Sequence, residues 1–428
     1  MKIYYNSKLR SKDRRRLLMR PASQDPKVDK TVARICREVK TRGDSAVRRF
    51  AKQFDKVAPA EFRVSPEEIA AAAASIDPVL RTAITIAAEN IRAFHRTQGL
   101  TSTSVETTPG VRCWREIRPM FRVGLYVPAG SASLPSTALM LGIPAVLAGC
   151  SKIVLCCPPQ RDGTVNAAVL AVAKLLGITE VYRIGGAQAI AAMAYGTESL
   201  PKVNKIFGPG NAFVTAAKRF VSFDPDGTAI DLLAGPSELL IIADGAASPQ
   251  RIAADLLSQA EHDPRSQVVL VTTDDSLAKR VSDSLKEMIV NASRRSIIEG
   301  CMKWSYMLIV PTLSEAIAFA NAYAPEHMIV DTSDPVKLVP EILNAGSVFL
   351  GSWAPVTAGD YASGTNHTLP TGGAAISSGG VTVESFQKTI SFQSITRDGL
   401  ERLRTTLTTL STAEGLSAHA AAVEVRFS

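Results

Sequence analysis

The chain has six cysteines, Cys36, Cys113, Cys150, Cys156, Cys157 and Cys301, and none belongs to a CxxC pair. That scatter excludes a disulfide framework and a cysteine-type zinc site, and points to a reducing compartment. No apolar run approaches the roughly 18–20 residues of a membrane span, and the basic start lacks the apolar stretch of a signal peptide. The expectation is a cytoplasmic protein with no membrane partner. Neither GxGxxG nor GxxxxGKS/T occurs, so the standard nucleotide fingerprints are missing. No low-complexity linker interrupts the chain, which predicts domains packed against each other.

Hydrophobic residues make up 46% and charged residues 21% of the 428 residues, ordinary values for a globular fold long enough for two or more domains. The net charge of +8 is unevenly placed. Residues 1–20 hold eight Lys and Arg (Lys2, Lys8, Arg10, Lys12, Arg14, Arg15, Arg16, Arg20) against Asp13 alone, a balance of +7. A basic arm suits nucleic acid or a transit signal. The rest of the chain offers neither a basic stripe nor an aromatic stacking platform. The segment therefore reads as a solvated amphipathic helix whose Leu9, Leu17 and Leu18 pack on a neighbour, and no nucleic-acid partner is expected.

Residues 1–120 read mainly as helices, with apolar residues at helical spacing over 28–39, 67–76 and 79–94. From residue 120 short β-branched runs alternate with Ala-rich helical stretches: RVGLYVP, KIVLCCPP, EVYRIGG and NKIFGPG, then ELLIIAD, QVVLVTTD, YMLIVP, HMIVDT and SVFLG. Apolar strands alternating with helices indicate parallel sheets covered on both faces. They fall into sets over 122–210 and 238–351, each sized for one doubly wound unit; a single large sheet is the alternative. After residue 380 the pattern returns to helix. The fold class is α/β, with two doubly wound Rossmann-like domains and small helical segments at both ends.

Three glycine-rich turns follow strands: LYVPAGSA (125–132), IGGAQAIAA (184–192) and FGPGNAFVTAAK (207–218). Free N–H groups at such helix starts suit a phosphate, with Tyr126, Gln188 and Asn211 placed to orient a nucleotide. The same turns serve equally to reverse the chain. There are only five histidines. His95, in a polar helical stretch, reads as a surface residue. His262 ends the helical segment LLSQAEHDP, three residues after Gln259 and on its face. His327 follows Glu326 at a Pro-initiated strand start. His367 lies in the loop GDYASGTNHTLPTGG, seven residues after Asp360. His419 sits in a C-terminal helix, five residues after Glu414. One amide, two imidazoles and one carboxylate fit a borderline metal such as zinc, although spacing alone cannot bring residues 259, 360 and 419 together.

Taken in order, GLYVPAGSA, IGGAQAIAA, KIFGPGNAFVTAAK, AIDLLAGPSELLIIAD, DLLSQAEHDP, YAPEHMIV, AGDYASGTNHTLPTGG and AEGLSAHAAAV resemble the histidinol dehydrogenase family across residues 120–425, about 70% of the chain. The resemblance implies four-electron oxidation of L-histidinol to L-histidine through a bound aldehyde, with NAD and one zinc per subunit. It implies Gln259, His262, Asp360 and His419 as zinc ligands and Glu326 and His327 as the acid–base pair. Ser237, His367 and Glu414 are then substrate contacts beside the zinc ligands and His327, and Tyr126, Gln188 and Asn211 are NAD contacts. It further implies an intertwined homodimer in which the tail carrying Glu414 and His419 completes the partner's site. Leu233 and the segment SSGGVTVESFQK depart from the usual family wording without touching these positions.

The domain division expected is 1–20 as a basic helical segment, 21–121 with 238–378 as the metal-bearing Rossmann-like domain, 122–237 as the NAD-side domain, and 379–428 as a helical tail swapped onto the partner. A dehydrogenase of another small polyol, such as a sulfonated propanediol, is the alternative; Glu414 would repel a sulfonate. In a strand, adjacent Glu326 and His327 point to opposite faces, so both can serve one site only if the chain bends there, as Pro325 allows.

Overall fold

Nine apolar runs between residues 122 and 351 form strands, as their β-branched content and flanking turns predict. The computed structural model describes residues 1–21, 25–57, 59–129 and 134–428, so part of the first glycine turn, 130–132, lies outside the described residues. The strands build two separate parallel sheets, not one. In the smaller sheet Arg122–Tyr126 is central; Lys152–Cys156 and Glu180–Tyr182 step to one side, Lys205–Phe207 and Ala229–Ile230 to the other. The larger repeats this order about Glu238–Ala243, with Gln267–Thr272 and Tyr306–Ile309 on one side and His327–Asp331 and Ser347–Leu350 on the other. Both are doubly wound, and each reverses its strand order beside its first strand.

Four expectations are corrected. Residues 1–20 are not one helix: Lys2–Tyr5 adds a parallel edge strand against Tyr306–Ile309, and only Ser11–Leu17 is α-helical. Leu17 does pack on the larger sheet's core, with Leu9 and Leu18 beside it. Residues 1–120 are not all helix, since Ser104–Thr108 and Val111–Pro119 form an antiparallel pair. Nor is the tail purely helical. Gln387–Ile395 joins that pair as a third strand before the helices Arg397–Ala413 and Ser417–Glu424.

The fourth correction concerns grouping. The helices Pro26–Phe50, Pro66–Ser75 and Pro78–His95 bury their apolar stripes against the smaller sheet and its helices, not with residues 238–378. Phe386 stacks on Phe207 with ring centroids 3.8 Å apart, tying the start of the tail to the same sheet. Burial of one such ring is worth about 1.5–3 kcal/mol. Among the described residues no single helix is long and apolar enough to cross a membrane.

Candidate active site

A crossover helix runs antiparallel to the strands it joins, so its carboxyl end returns to the amino edge of the sheet. The helix Pro249–Ala260 does this and delivers Gln259, with His262 in the turn just past its end, to the amino edge of the larger sheet. Ser237 and Glu326 precede two adjacent strands at that edge, and His327 opens the second. Asp360 arrives on a short helix, Val356–Tyr361, where a loop was expected. From the other body come Pro128 and Asn211, at the carboxyl edge of the smaller sheet. Together these residues, with Thr137 and His367, line a cavity of about 300 Å³.

Glu326 and His327 are both buried, and both face this cavity. Glu326 lies just before the strand, after Pro325 and the left-handed turn at Ala324 (φ +50°), so the strict alternation of faces does not yet hold. The backbone of Glu238 touches both. Its N–H donates to Glu326 Oε2 at 2.8 Å, and its carbonyl oxygen lies 3.2 Å from His327 Nδ1. A carbonyl can only accept, so the neutral imidazole carries its hydrogen on Nδ1 and leaves Nε2 as the basic nitrogen. That nitrogen is 3.7 Å from Asp360 Oδ1. Burial pulls the His327 pKa down, but the nearby carboxylates of Glu326 and Asp360 and the Glu238 carbonyl outweigh it, and the net shift is upward.

His367 presents Nδ1 to the Asp360 carbonyl at 2.9 Å and Nε2 to Thr137 Oγ1 at 3.3 Å. Its burial dominates and lowers its pKa, favouring the neutral ring. Gln259 is buried at 1% exposure, and its Oε1 has no hydrogen-bond donor among the described residues. An orphaned buried amide oxygen costs on the order of 1–3 kcal/mol unless something fills its lone pairs. A cation shared with the His262 imidazole and the Asp360 carboxylate would do so, and this donor set suits a borderline metal. Among the described residues no three of His, Cys, Asp and Glu come together as a metal cluster; this donor set has His262 and Asp360 plus the Gln259 amide. Glu414, in the turn between the two C-terminal helices, and His419, on the second, are exposed and are not among the residues lining the cavity of their own chain.

A second cavity of about 310 Å³ opens at the carboxyl edge of the smaller sheet, beside its point of strand reversal. Tyr126, Gln188 and Asn211 all line it, and Asn211 and Pro128 also line the first cavity. Open α/β sheets bind ligands at this place. Tyr126 Oη accepts the N–H of Gly186 at 3.0 Å, and Asn211 caps the helix Ala212–Phe223 through two backbone N–H groups. The turn before Asn211 requires glycine: at Gly208 (φ +122°) a Cβ would lie 2.2 Å from the Tyr126 carbonyl. Buried Lys218 and Asp231 form an ion pair that grips this turn, Lys218 donating to the Gly208 carbonyl at 2.8 Å and Asp231 accepting its N–H at 2.8 Å.

Sequence reasoning missed Thr137, Asp55 and this ion pair. Asp55 lines the second cavity and accepts from Gln188 Nε2 at 3.2 Å; burial pushes its carboxyl up to about 6. Nothing local to its segment marks it. His95 is a further correction. It is fully buried, with Nδ1 2.7 Å from Gln98 Oε1 and Nε2 3.4 Å from Asn366 Nδ2. The signal was present, since residues 84, 88, 91 and 95 make one helical stripe.

The family model described as histidinol dehydrogenase matches residues 18–427. A histidinol dehydrogenase of Vibrio cholerae is 50% identical over 411 residues, 96% of this chain and 94% of that protein. One from Salmonella typhimurium is 48% identical over 413 residues, again 96% and 94% of the two chains. The crystal structure of histidinol dehydrogenase from Elizabethkingia anophelis aligns with a TM-score of 0.95 at 44% identity, covering 100% of this chain and 98% of that one.

Proposed function

The chain belongs to the histidinol dehydrogenase family, and we propose that its first cavity is where L-histidinol becomes L-histidine. It is an NAD-dependent oxidoreductase of histidine biosynthesis. One observation carries the assignment of the site: Glu326 and His327, neighbours in sequence, face a cavity also walled by Gln259, His262 and Asp360. The sulfonated polyol considered as an alternative substrate is not favoured, because relatives at about half identity over nearly the whole chain are histidinol dehydrogenases.

In this reading Gln259, His262 and Asp360 would hold zinc together with His419 of a second copy of the chain. Bound there, the metal would anchor the amino and imidazole nitrogens of the substrate and so fix its carbinol carbon. Tyr126, Gln188 and Asn211 would hold NAD in the second cavity, where it would supply the hydride acceptor, and Asn211 and Pro128 wall both cavities. His327 takes the hydroxyl proton at Nε2 while its Nδ1–H stays on the Glu238 carbonyl. Glu326, with Oε2 held by the Glu238 N–H, keeps its other oxygen for the water that hydrates the aldehyde. The neutral His367 and Ser237 contact the substrate. Two successive oxidations give the acid, and the aldehyde stays bound between them.

The homodimer belongs to the same proposal. The tail exposes Leu410, Leu416 and Val425 at 58%, 42% and 65%, apolar surface that a second copy would cover while Glu414 and His419 complete its site. A cytoplasmic location fits the soluble chemistry of the pathway. The ligand assignment is tested by His262→Ala, which is expected to be purified with its zinc lost and its fold intact. A metal content equal to that of the unsubstituted enzyme would remove His262 from the ligand set.

A further inference from the structure

The basic segment at the start of the chain has a use that its charge alone does not suggest. Arg14, Arg15 and Arg16 are exposed, but Arg20 turns inward behind the catalytic pair. Its guanidinium lies 3.5 Å above the Tyr323 ring and grips the Glu238 carboxylate with two prongs, Nε to Oε1 at 3.1 Å and Nη2 to Oε2 at 2.9 Å. The Glu238 side chain is 3% exposed and also accepts the N–H of Gly372 at 2.7 Å. Arg20 Nη2 donates to the carbonyl of Tyr323 and, at 3.3 Å, to that of Ala324.

These contacts converge on Glu326 and His327 by two routes. Through Glu238, Arg20 fixes the residue whose N–H holds the Glu326 carboxylate and whose carbonyl sets the tautomer of His327. Through the Tyr323 and Ala324 carbonyls, it clamps the left-handed turn that carries the chain into Pro325 and Glu326. Such a turn is costly for a residue with a Cβ and persists only where its surroundings hold it. A planar, two-pronged donor does both at once, which an ammonium cannot.

We propose that Arg20 is a positioning residue for the Glu326–His327 pair, acting through Glu238 and the turn at Ala324. The N-terminal segment is then a strap: Lys2–Tyr5 pairs with the sheet edge, Leu17 is buried with its carbonyl bonded to Tyr306 Oη, and the chain delivers Arg20 beneath the site. The inference rests on the reading of His327 and Glu326 as the acid–base pair.

The test is a kinetic cycle on the zinc-loaded enzyme with Arg20→Gln, Arg20→Lys, His327→Asn and the double variants. Misplacement of reacting groups by about 1 Å costs up to about 100-fold in rate, so Arg20→Gln should lower kcat by about 10- to 100-fold. KM for histidinol and zinc content should stay unchanged, because the metal-binding wall is not touched. Arg20→Lys keeps the charge without the fork and should fall between Arg20→Gln and the unsubstituted enzyme; if Arg20→Gln does not fold, the cycle is run with Arg20→Lys. Added to His327→Asn, either variant should cost almost nothing more in the alcohol-oxidation step, since the group being positioned for that step is already gone. Losses that multiply, or an unchanged kcat in both variants, would overturn the role of Arg20. If His327→Asn itself left kcat unaffected, the acid–base reading would fail instead.

Discussion

Replacing His327 with Asn is expected to slow the oxidation of histidinol by about 10²- to 10⁴-fold, the usual worth of a positioned general base. The geometry explains why the loss should fall on kcat. Nδ1 is committed to the Glu238 carbonyl at 3.2 Å, so the one free nitrogen, Nε2, faces Asp360 and the cavity. The net upward shift of the His327 pKa means the surrounding carboxylates stabilise the imidazolium, the form reached once the proton has been taken. Asparagine keeps the polar volume but cannot take a proton at working pH. Metal binding should survive, because His327 is not among the proposed ligands. Steady-state NADH formation and zinc content on the same preparation check both halves; a loss below about tenfold, or release of zinc, would contradict the assignment.

Glu326→Gln separates the two oxidations. The amide oxygen of glutamine can still accept the Glu238 N–H, which the carboxylate accepts at 2.8 Å, so local structure is preserved and only basicity is removed. Oxidation of the alcohol should be slowed far less than hydration, its handicap being the loss of a charge that helps raise the His327 pKa. Hydration of the aldehyde should fall by about 10²- to 10⁴-fold, so that turnover stalls near one NADH per enzyme-bound substrate. Assays started separately from the alcohol and from the aldehyde distinguish the steps. Equal loss in both would show that Glu326 serves the site as a whole and not the water step.

Much of the fold was legible because its signals are local. Nine of the ten strands between residues 122 and 351 and the helices after residue 25 follow from runs and stripes that the surrounding chain does not alter. Two of the missed strands have partners far away in sequence, whereas the hairpin of Ser104–Thr108 and Val111–Pro119 is local and was missed all the same. Lys2–Tyr5 becomes a strand only because Tyr306–Ile309 offers an open edge, and Gln387–Ile395 pairs with Val111–Pro119. The grouping of residues 26–95 with the smaller sheet is likewise a matter of packing that no spacing reveals.

The same distinction holds in the site. Gln259 and His262, and Glu326 and His327, announce themselves by short spacing, and the amino edge of the larger sheet brings them to one cavity. Asp360 and His367 join them as the family resemblance implies. Arg20, Asp55 and Thr137 carried no such mark. Each reaches its cavity or its neighbour from a distant segment, Arg20 lying 218 residues from Glu238 in sequence. Glu414 and His419 are not among the residues that line the cavity of their own chain.

On this reading one cavity carries L-histidinol through both oxidations, with a metal anchoring the substrate. The most direct measurement is the yield of NADH per L-histidinol consumed, before and after chelation. Two NADH per substrate are expected, with loss of activity on chelation and its return when zinc is added back. One NADH per substrate with aldehyde released, or full activity in the chelated enzyme, would contradict it.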